Sequence, residues 1–400
     1  MTDTILVINS GSSSIKFALY PADSGDDQPV IKGKIAGIGR APDFVAFDAA
    51  GLALAEGRLQ DLGPDAGHGE LVQGLLDWID NKHSNLKVVA AGHRVVHGGQ
   101  VFDGPVVVTD ETFKQMEELT PLAPLHQPHN LAAITAISKR SPDIKQVACF
   151  DTSFHRTQPR LAQLFGLPHE LSDAGIIRYG FHGLSYDYIA SVLGDLPGCK
   201  ADGKVIVAHL GNGASICAMD KQQSVMTSMG FTALHGLMMG RRSGTLDAGA
   251  VLHLIQQRGM SVDDVHQLLY RESGLLGVSG FSNNMRELQE SSDPRAAEAV
   301  DLFCFKAACE FGSHATAMQG LDGIVFTAGI GENSAVVRAK ICRQLAWLGV
   351  EIDDGANQNH KLTISTETSK ISVHVVATNE ELVIANATRG LSGQKADPNS

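Results

Sequence analysis

Ile5-Leu6-Val7-Ile8-Asn9-Ser10-Gly11-Ser12-Ser13-Ser14-Ile15-Lys16-Phe17-Ala18-Leu19-Tyr20 reads as an apolar strand, a Gly/Ser turn and a second strand. The same grammar returns at Val205-Ile206-Val207-Ala208-His209-Leu210, Gly211-Asn212-Gly213-Ala214-Ser215 and Ile216-Cys217-Ala218-Met219. Gly211 follows Gly11 by half the length of the 400-residue chain. Glycine turns between strands are common, so one such pair is a weak sign of repetition. Its place at the head of each half nevertheless suggests a duplicated, two-domain architecture.

Outside the hairpins, strand signals alternate with helical ones. Glu70 to Lys82 carries Leu71, Leu75, Trp78 and Ile79 at helical spacing and leads into a strand from Leu86 to Ala90. Lys145 to Phe150 is a short apolar strand ending at Asp151, and Ser261 opens a helix with Asp264 at the reciprocal capping position. Pro294 to Met318 reads as a long helix, apolar nearly all round and so a central packing element. Gly323 to Thr327 is a buried strand that runs through Ala328-Gly329-Ile330-Gly331 into a helix with Val337, Ile341, Leu345 and Leu348 on one face. Ile371 to Ala377 is a last strand. The alternation predicts an α/β fold. Asp23 to Gln28 and the residues after Gly390 read as exposed. No low-complexity linker interrupts the chain, so the domains are expected to pack closely.

Composition narrows the function classes. A chain of 400 residues corresponds to two or three domains at roughly 100–200 residues each. Lys+Arg 32 against Asp+Glu 44 leaves a net charge of −12, which argues against nucleic acid or an anionic membrane as partner. A local basic pocket stays compatible with that sum. Hydrophobic residues at 43% with charged residues at 19% supply a core and exclude global disorder. No basic region followed by an apolar run opens the chain, and no segment reaches the ~20 apolar residues of a membrane helix. Cys149, Cys199, Cys217, Cys304, Cys309 and Cys342 form no C-x-x-C pair and read as buried free thiols. The expectation is a soluble, cytoplasmic protein.

Three glycine-bearing loops have a composition suited to phosphate: Asn9 to Ser14, Gly211-Asn212-Gly213, and Gly329-Ile330-Gly331-Glu332-Asn333. Glycine lets backbone N–H groups approach a polyanion, and hydroxyl or amide side chains add donors. None is a P-loop or a dinucleotide fingerprint, and each alone reads more readily as an ordinary tight turn. Three after apolar strands, two at equivalent points of the halves, favour ATP held between related domains. Arginine and histidine then cluster beside glycine in Gly92-His93-Arg94-Val95-Val96-His97-Gly98-Gly99, Gly240-Arg241-Arg242-Ser243-Gly244 and Arg178-Tyr179-Gly180-Phe181-His182-Gly183. Arginine clamps carboxylate or phosphate in two-pronged fashion. Surface ion pairs and satisfied core histidines are the alternative for any single member. His126 and His129 flank Pro128 and do not suit a metal pair. Asp151 and Glu380-Glu381 follow strands and read as catalytic or metal-linked acids, or as helix caps.

Taken together, Asn9 to Lys16 and Gly92 to Gly99 resemble the two signature patterns of the acetokinase family of acetate and propionate kinases. Phe150 to His155, Arg178 to His182, His209 to Gly213, Gly329 to Asn333 and Thr378 to Glu381 match that family's order, over nearly the whole chain. The resemblance implies two duplicated ribonuclease-H-like domains of the sugar kinase and actin-like ATPase superfamily, with the active site in a cleft between them. It implies domains of residues 1–150, completed by 383–400, and 151–382, and a cytoplasmic homodimer. It also implies ATP/ADP as nucleotide and Mg²⁺, with Mn²⁺ as a substitute. Asn9 and Glu380 would hold the metal, and Lys16 and Ser12 would lie at the nucleotide phosphates. Arg94 would hold the acyl substrate against walls of Val96, Leu125, Phe181 and Ala233. Asp151, His182 and Arg242 match the family's catalytic positions. His209, Leu210, Gly211, Asn212 and Gly213 match its nucleotide segments, as do Asn284, Met285 and Arg286 and the run Gly329, Ile330, Gly331, Glu332 and Asn333.

The implied reaction is in-line transfer from ATP to acetate, giving acetyl phosphate and ADP. Several positions depart from the family pattern. Arg241 stands where Thr is common, Thr245 and Ala248 replace Asp and Pro, and Asn284 replaces an Asp in a nucleotide segment. Ala233 replaces a Pro beside the acyl pocket, and a smaller wall there makes propionate a second expected substrate. Against a sugar kinase or a non-catalytic ATPase module stands the combination of an arginine with Val, Leu and Phe, which suits a small apolar acid.

Overall fold

The computed structural model describes residues 1–11, 13–23, 27–59 and 62–393. The chain divides into two compact units, Met1–Ser153 with the residues from Asn379 onward, and Phe154–Thr378.

In the first unit the strands are β1 (Thr2–Ser10), β2 (Ser14–Pro21), β3 (Ile31–Ala36), β4 (Asp43–Asp48), β5 (Ala53–Gly57), β6 (Leu86–Val95), β7 (Val106–Val107) and β8 (Lys145–Phe150). They form one sheet in the order β5-β4-β3-β2-β1-β6-β8-β7. β1, β2 and β3 run antiparallel, whereas β6 and β8 run parallel to β1. β1 is apolar without alternation because both of its faces are covered, and Ile5 to Ser10 are all buried. Helices His68–Lys82 and Gln127–Arg140 cover one face, where Leu75, Ile79 and Ile137 meet Leu6, Ile8 and Phe17. Helix Glu380–Gly393 packs on β1, β6 and β8, burying Ile384, Ala385 and Thr388.

The second unit holds β9 (Lys204–Leu210), β10 (Ala214–Asp220), β11 (Gln223–Thr227), β12 (Gly323–Thr327) and β13 (Ser372–Val375), in the order β11-β10-β9-β12-β13. The first three are antiparallel and the last two run parallel to β9 and to each other. This repeats β3-β2-β1-β6-β8 strand for strand, the duplication suggested by the paired hairpins. Helix Gly183–Val192 sets Tyr186, Ile189 and the following Leu193 against Val205, Val207, Cys217 and Met219. Helix Pro294–Met318 packs on β9, β10 and β11, and the ring of its Phe311 lies 6.0 Å from Phe326 of β12.

Lys145 to Phe150, Pro294 to Met318 and Gly323 to Thr327 form the elements their patterns predict. At Ser261 the capping is reciprocal: Asp264 N donates to Ser261 Oγ and Ser261 N donates to Asp264 Oδ2, each at 3.0 Å. Other expectations need correction. β6 continues past Ala90 to Val95, because Gly92 and His93 pair with both β1 and β8 and Arg94 and Val95 pair with β8, while His93 Nε2 meets Gln146 at 2.8 Å. Ala328–Asn333 is itself a short helix, not a loop leading into one, and the next helix ends at Gln344, before Leu345 and Leu348. All six cysteines are free, but Cys309 is exposed and Cys199 only partly covered. The units divide at Ser153 and Asn379 where 150 and 382 were expected. Asp151 belongs with the first unit because it bonds Arg94 of β6, and Asn379 because its Oδ1 accepts from Tyr20 of β2.

Gly92 is what lets the last helix lie close on β6. A Cβ there would stand 2.3 Å from Thr388 Oγ1 and 2.5 Å from Ile384 Cγ2. Gly92→Ala is expected to lower stability by about 1–3 kcal/mol through overpacking. Urea unfolding measures this, and an unchanged midpoint would show that the helix is not held at this distance.

Candidate active site

The functional side chains gather at the carboxyl ends of the parallel strands, where open α/β sheets place ligands. In the first unit Asn9, Arg94 and Asp151 end β1, β6 and β8. Arg94 Nε donates to Asp151 Oδ1 at 2.8 Å and Nη2 to Oδ2 at 2.5 Å, while Nη1 donates to Asn9 Oδ1 at 3.1 Å. The Asp151 side chain is 2% exposed and that of Arg94 21%. Burial works against the Arg94 charge, but Asp151, joined by Glu380 and Glu381, outweighs it and holds the guanidinium above its ordinary range. Both Asp151 oxygens are committed to this pair, so Asp151 is not a helix cap. Asn379, not Glu380, caps the last helix, accepting from Leu382 N at 3.1 Å.

Lys16 is the cross-strand partner of Asn9 and is exposed. Glu380 is half-buried. Burial pushes its carboxyl up to about 7, Arg94 opposes the rise, Asp151 and Glu381 add to it, and Lys16 opposes it. An amide oxygen and a carboxylate are hard oxygen donors, the kind Mg²⁺ takes in ones and twos beside phosphate and water. Among the described residues no group of three or more His, Cys, Asp or Glu could hold a metal on its own. Asn9 and Glu380 are of the donor type that suits such a cation. Val96 is buried, with its N–H on Asn130 Oδ1, and Leu125 is half-buried. Ser12 lies outside the described residues.

Histidines 93 and 97 are core groups. Burial lowers each to about 4; His93 bonds Gln146, and His97 Nδ1 accepts from Gly99 N at 3.0 Å. His129 stacks on His68 with ring centroids 4.2 Å apart.

In the second unit the site forms around the turn between β9 and β10. His182 takes a left-handed backbone, φ 60°, and starts helix Gly183–Val192. Its ring stacks on His209 at 4.2 Å, its Nδ1 lies 2.8 Å from Ser215 Oγ, and His209 Nδ1 lies 2.8 Å from Ser185 Oγ. Gly213 lies close under both side chains: a Cβ there would come 3.3 Å from His182 Nε2, a tight contact, and 4.0 Å from Arg242 Nη1. The His182 and Arg242 side chains thus flank one point above the turn. Arg242 Nη1 donates to Ala233 O at 3.0 Å. Asn212 is tied in by Asn283 Nδ2 at 3.0 Å and by Gly240 N at 3.1 Å.

Leu210 is fully buried and Met285 nearly so, which leaves only their backbones for a ligand. Asn284 caps helix Met285–Glu290 through Arg286 N, and Arg286 pairs with Glu290 on an exposed face. Phe181 is buried and its carbonyl bonds His155 Nε2. Arg178, between its glycines and histidine, is a brace instead: its Nη1 donates to the carbonyls of Thr227, Ser228 and Met229.

One residue the sequence reading passed over is Arg338. It is fully buried without a carboxylate, and burial lowers it to about 10. Its guanidinium donates to Gly331 O, Glu332 O, Asn357 Oδ1 and Asn357 O, and meets His360 Nδ1 at 3.1 Å. It thereby fixes the end of the Ala328–Asn333 helix, where Asn333 Nδ2 also bonds Gly329 O. The signal available was a charge on the same helical face as Val337 and Ile341.

The acetokinase family model matches residues 4–386. An acetate kinase of Rhodopseudomonas palustris is 49% identical over 390 residues, 96% of this chain and 97% of that protein. Among solved structures, a propionate kinase from Francisella tularensis superposes with a TM-score of 0.89 at 36% identity, covering 97% of this chain and 99% of that one. The acetate kinase of Porphyromonas gingivalis gives 0.88 at 34%, covering 98% and 100%. With the duplicated sheets and the arginine-bearing strand ends described above, these matches place the chain in the acetokinase family.

Proposed function

We propose that this chain is an acetate kinase, transferring the γ-phosphoryl group of ATP directly to acetate and giving acetyl phosphate and ADP, reversibly. The observation that carries this reading is the two-pronged Asp151–Arg94 pair. A carboxylic acid has a pKa near 4, so the nucleophile is already ionised at pH 7 and needs no base. What it needs is help in approaching a polyphosphate. Asp151 serves by holding Arg94 in place, not by removing a proton. Arg94 has five N–H groups, three engaged with Asp151 and Asn9. The other two, one on each terminal nitrogen, are those we assign to the acyl carboxylate.

Arg242 and His182, flanking the Gly213 turn, would stabilise charge on the equatorial phosphoryl oxygens. Residues 209–213, 284–286 and 329–333 would hold the nucleotide, and Lys16 its phosphates. Asn9 and Glu380 would hold Mg²⁺, or Mn²⁺ in its stead, which when bound offsets phosphate charge. Asn284 keeps its hydrogen bonding as a helix cap without the charge of an Asp. Thr245 holds Gly236 through its N–H and its hydroxyl, which supports a structural use for that departure.

Propionate is the favoured second substrate. The contact Ala233 makes with Arg242 is through its carbonyl, so replacing Pro by Ala leaves that tether and reduces only side-chain bulk. A homodimer remains part of the proposal. Helix Ala248–Gln256 supports it, being apolar in sequence with no buried residue and with Leu252 54% exposed. Six free cysteines support a reducing cytoplasm, and no helix among the described residues is long and apolar enough to cross a membrane.

Incubation with ATP, Mg²⁺, acetate and hydroxylamine should give acetohydroxamate. A sugar kinase or a non-catalytic ATPase module would give none. One methylene is worth about 10–200-fold in discrimination, so kcat/KM for propionate should fall within that range of acetate. A thousandfold gap would contradict the enlarged pocket. The Glu380 carboxyl gives a pH dependence of known sign. Below about 7 it carries a proton that a cation must displace, so the Mg²⁺ concentration for half-maximal rate should rise as pH falls from 8 to 6. Glu380→Gln should flatten that slope, and an unchanged slope in the variant would remove Glu380 from the metal site.

A further inference from the structure

Behind His182 lies a chain of polar groups with no exposure to solvent. Ser215 Oγ is 2.8 Å from His182 Nδ1 and 2.5 Å from Tyr186 Oη. Ser215 and Tyr186 are both fully buried, Ser215 on the otherwise apolar strand β10 and Tyr186 on the helix that His182 begins. Buried polar hydrogens need acceptors, so the protons of this chain can be assigned by accounting.

Tyr186 keeps its proton: burial raises it well above its ordinary range. Its oxygen meets two groups, Ser215 Oγ and the backbone of His209, which acts as a donor to it. The phenolic hydrogen therefore points to Ser215 Oγ. The Ser215 hydroxyl hydrogen then has one destination, His182 Nδ1. A nitrogen that accepts carries no hydrogen, so the ring proton sits on Nε2, the edge that faces the Gly213 turn and lies near Arg242. The opposite polarity leaves the Tyr186 hydrogen without an acceptor in a closed interior. Protonating both ring nitrogens strands the Ser215 hydrogen in the same way, and it sets a second cation beside Arg242. His209, stacked on the ring and bonded to Ser185, is the other titratable neighbour and completes the alignment.

We propose that Tyr186 and Ser215 are positioning residues that hold His182 as the neutral Nε2–H tautomer, so that it acts as a hydrogen-bond donor to the transferring phosphoryl group. The role of that donor rests on the reading of the chain as an acetate kinase; the tautomer does not. In this arrangement Arg242 supplies the positive charge and His182 a directed hydrogen bond, fixed before the nucleotide arrives. Such preorganisation lets a donor act without reorientation during transfer.

Neutron diffraction from deuterium-exchanged crystals of the full chain locates the protons directly. The expected map places deuterium on His182 Nε2, on Ser215 Oγ toward Nδ1 and on Tyr186 Oη toward Ser215. Deuterium on Nδ1 would overturn the proposal whatever the enzyme's activity. In kinetics, Ser215→Ala should lower kcat about tenfold, the scale on which groups supporting an active-site histidine act, with KM for ATP within about twofold. Tyr186→Phe should lower kcat in the same sense, and equal losses in kcat and in folding midpoint would mark both residues as structural only. If no hydroxamate forms while Nε2 is deuterated, the functional reading fails and the tautomer assignment stands.

Discussion

A carboxylate taken almost wholly out of water has to be answered by a cation with matching geometry. Asp151 is answered by Arg94, and the two-pronged pair ties the end of β8 to the end of β6. Through its third contact, on Asn9, the same guanidinium reaches the end of β1. Three parallel strands therefore present their carboxyl ends in one fixed register. Removing either partner would leave an unpaired charge in the interior, a loss on the order of 3–5 kcal/mol. The helix that carries Glu380 lies on the same three strands, which brings its carboxylate into the field of Arg94 and Asp151.

The second unit meets a similar demand with backbone and neutral groups. Beside its β9–β10 turn Arg242 donates to the Ala233 carbonyl. Arg338 is held by carbonyls, an amide and a histidine. An acidic chain of net charge −12 can thus handle anionic ligands. Arg94 is aimed by its pairing with Asp151 and keeps two N–H groups beyond the contacts with Asp151 and Asn9.

Much of this was legible in the residues. The paired hairpins gave a weak sign of the duplication, since a Gly/Ser turn between apolar strands has a local signature, and the family resemblance supplied the rest. Pro294 to Met318 was readable because Pro at its first turn and sustained apolar spacing are both local. The extension of β6 to Val95 was not, because Gly92-His93-Arg94 is unlike a strand by propensity and is held by pairing with β8, joined at Gly92 and His93 by β1. Ala328–Asn333 looked like a loop, as its glycines suggest, and becomes helical where Arg338 binds its last carbonyls. Ser215 was quoted as the end of a turn; only the burial of Tyr186 and the distance to His182 give it a role. The general limit is that sequence spacing reports local periodicity, whereas Arg94–Asp151 and Arg338–Asn357 are partnerships between distant segments.

On the proposed mechanism Asp151 acts through Arg94 and takes no proton from the substrate. The pH dependence of kcat at saturating Mg²⁺, measured for the unaltered chain and for Asp151→Asn, tests it most directly. A large loss of kcat is expected in the variant, with the shape of the profile preserved. An acid limb present in the parent and absent in Asp151→Asn, at unchanged Mg²⁺ affinity, would contradict it and make Asp151 a base.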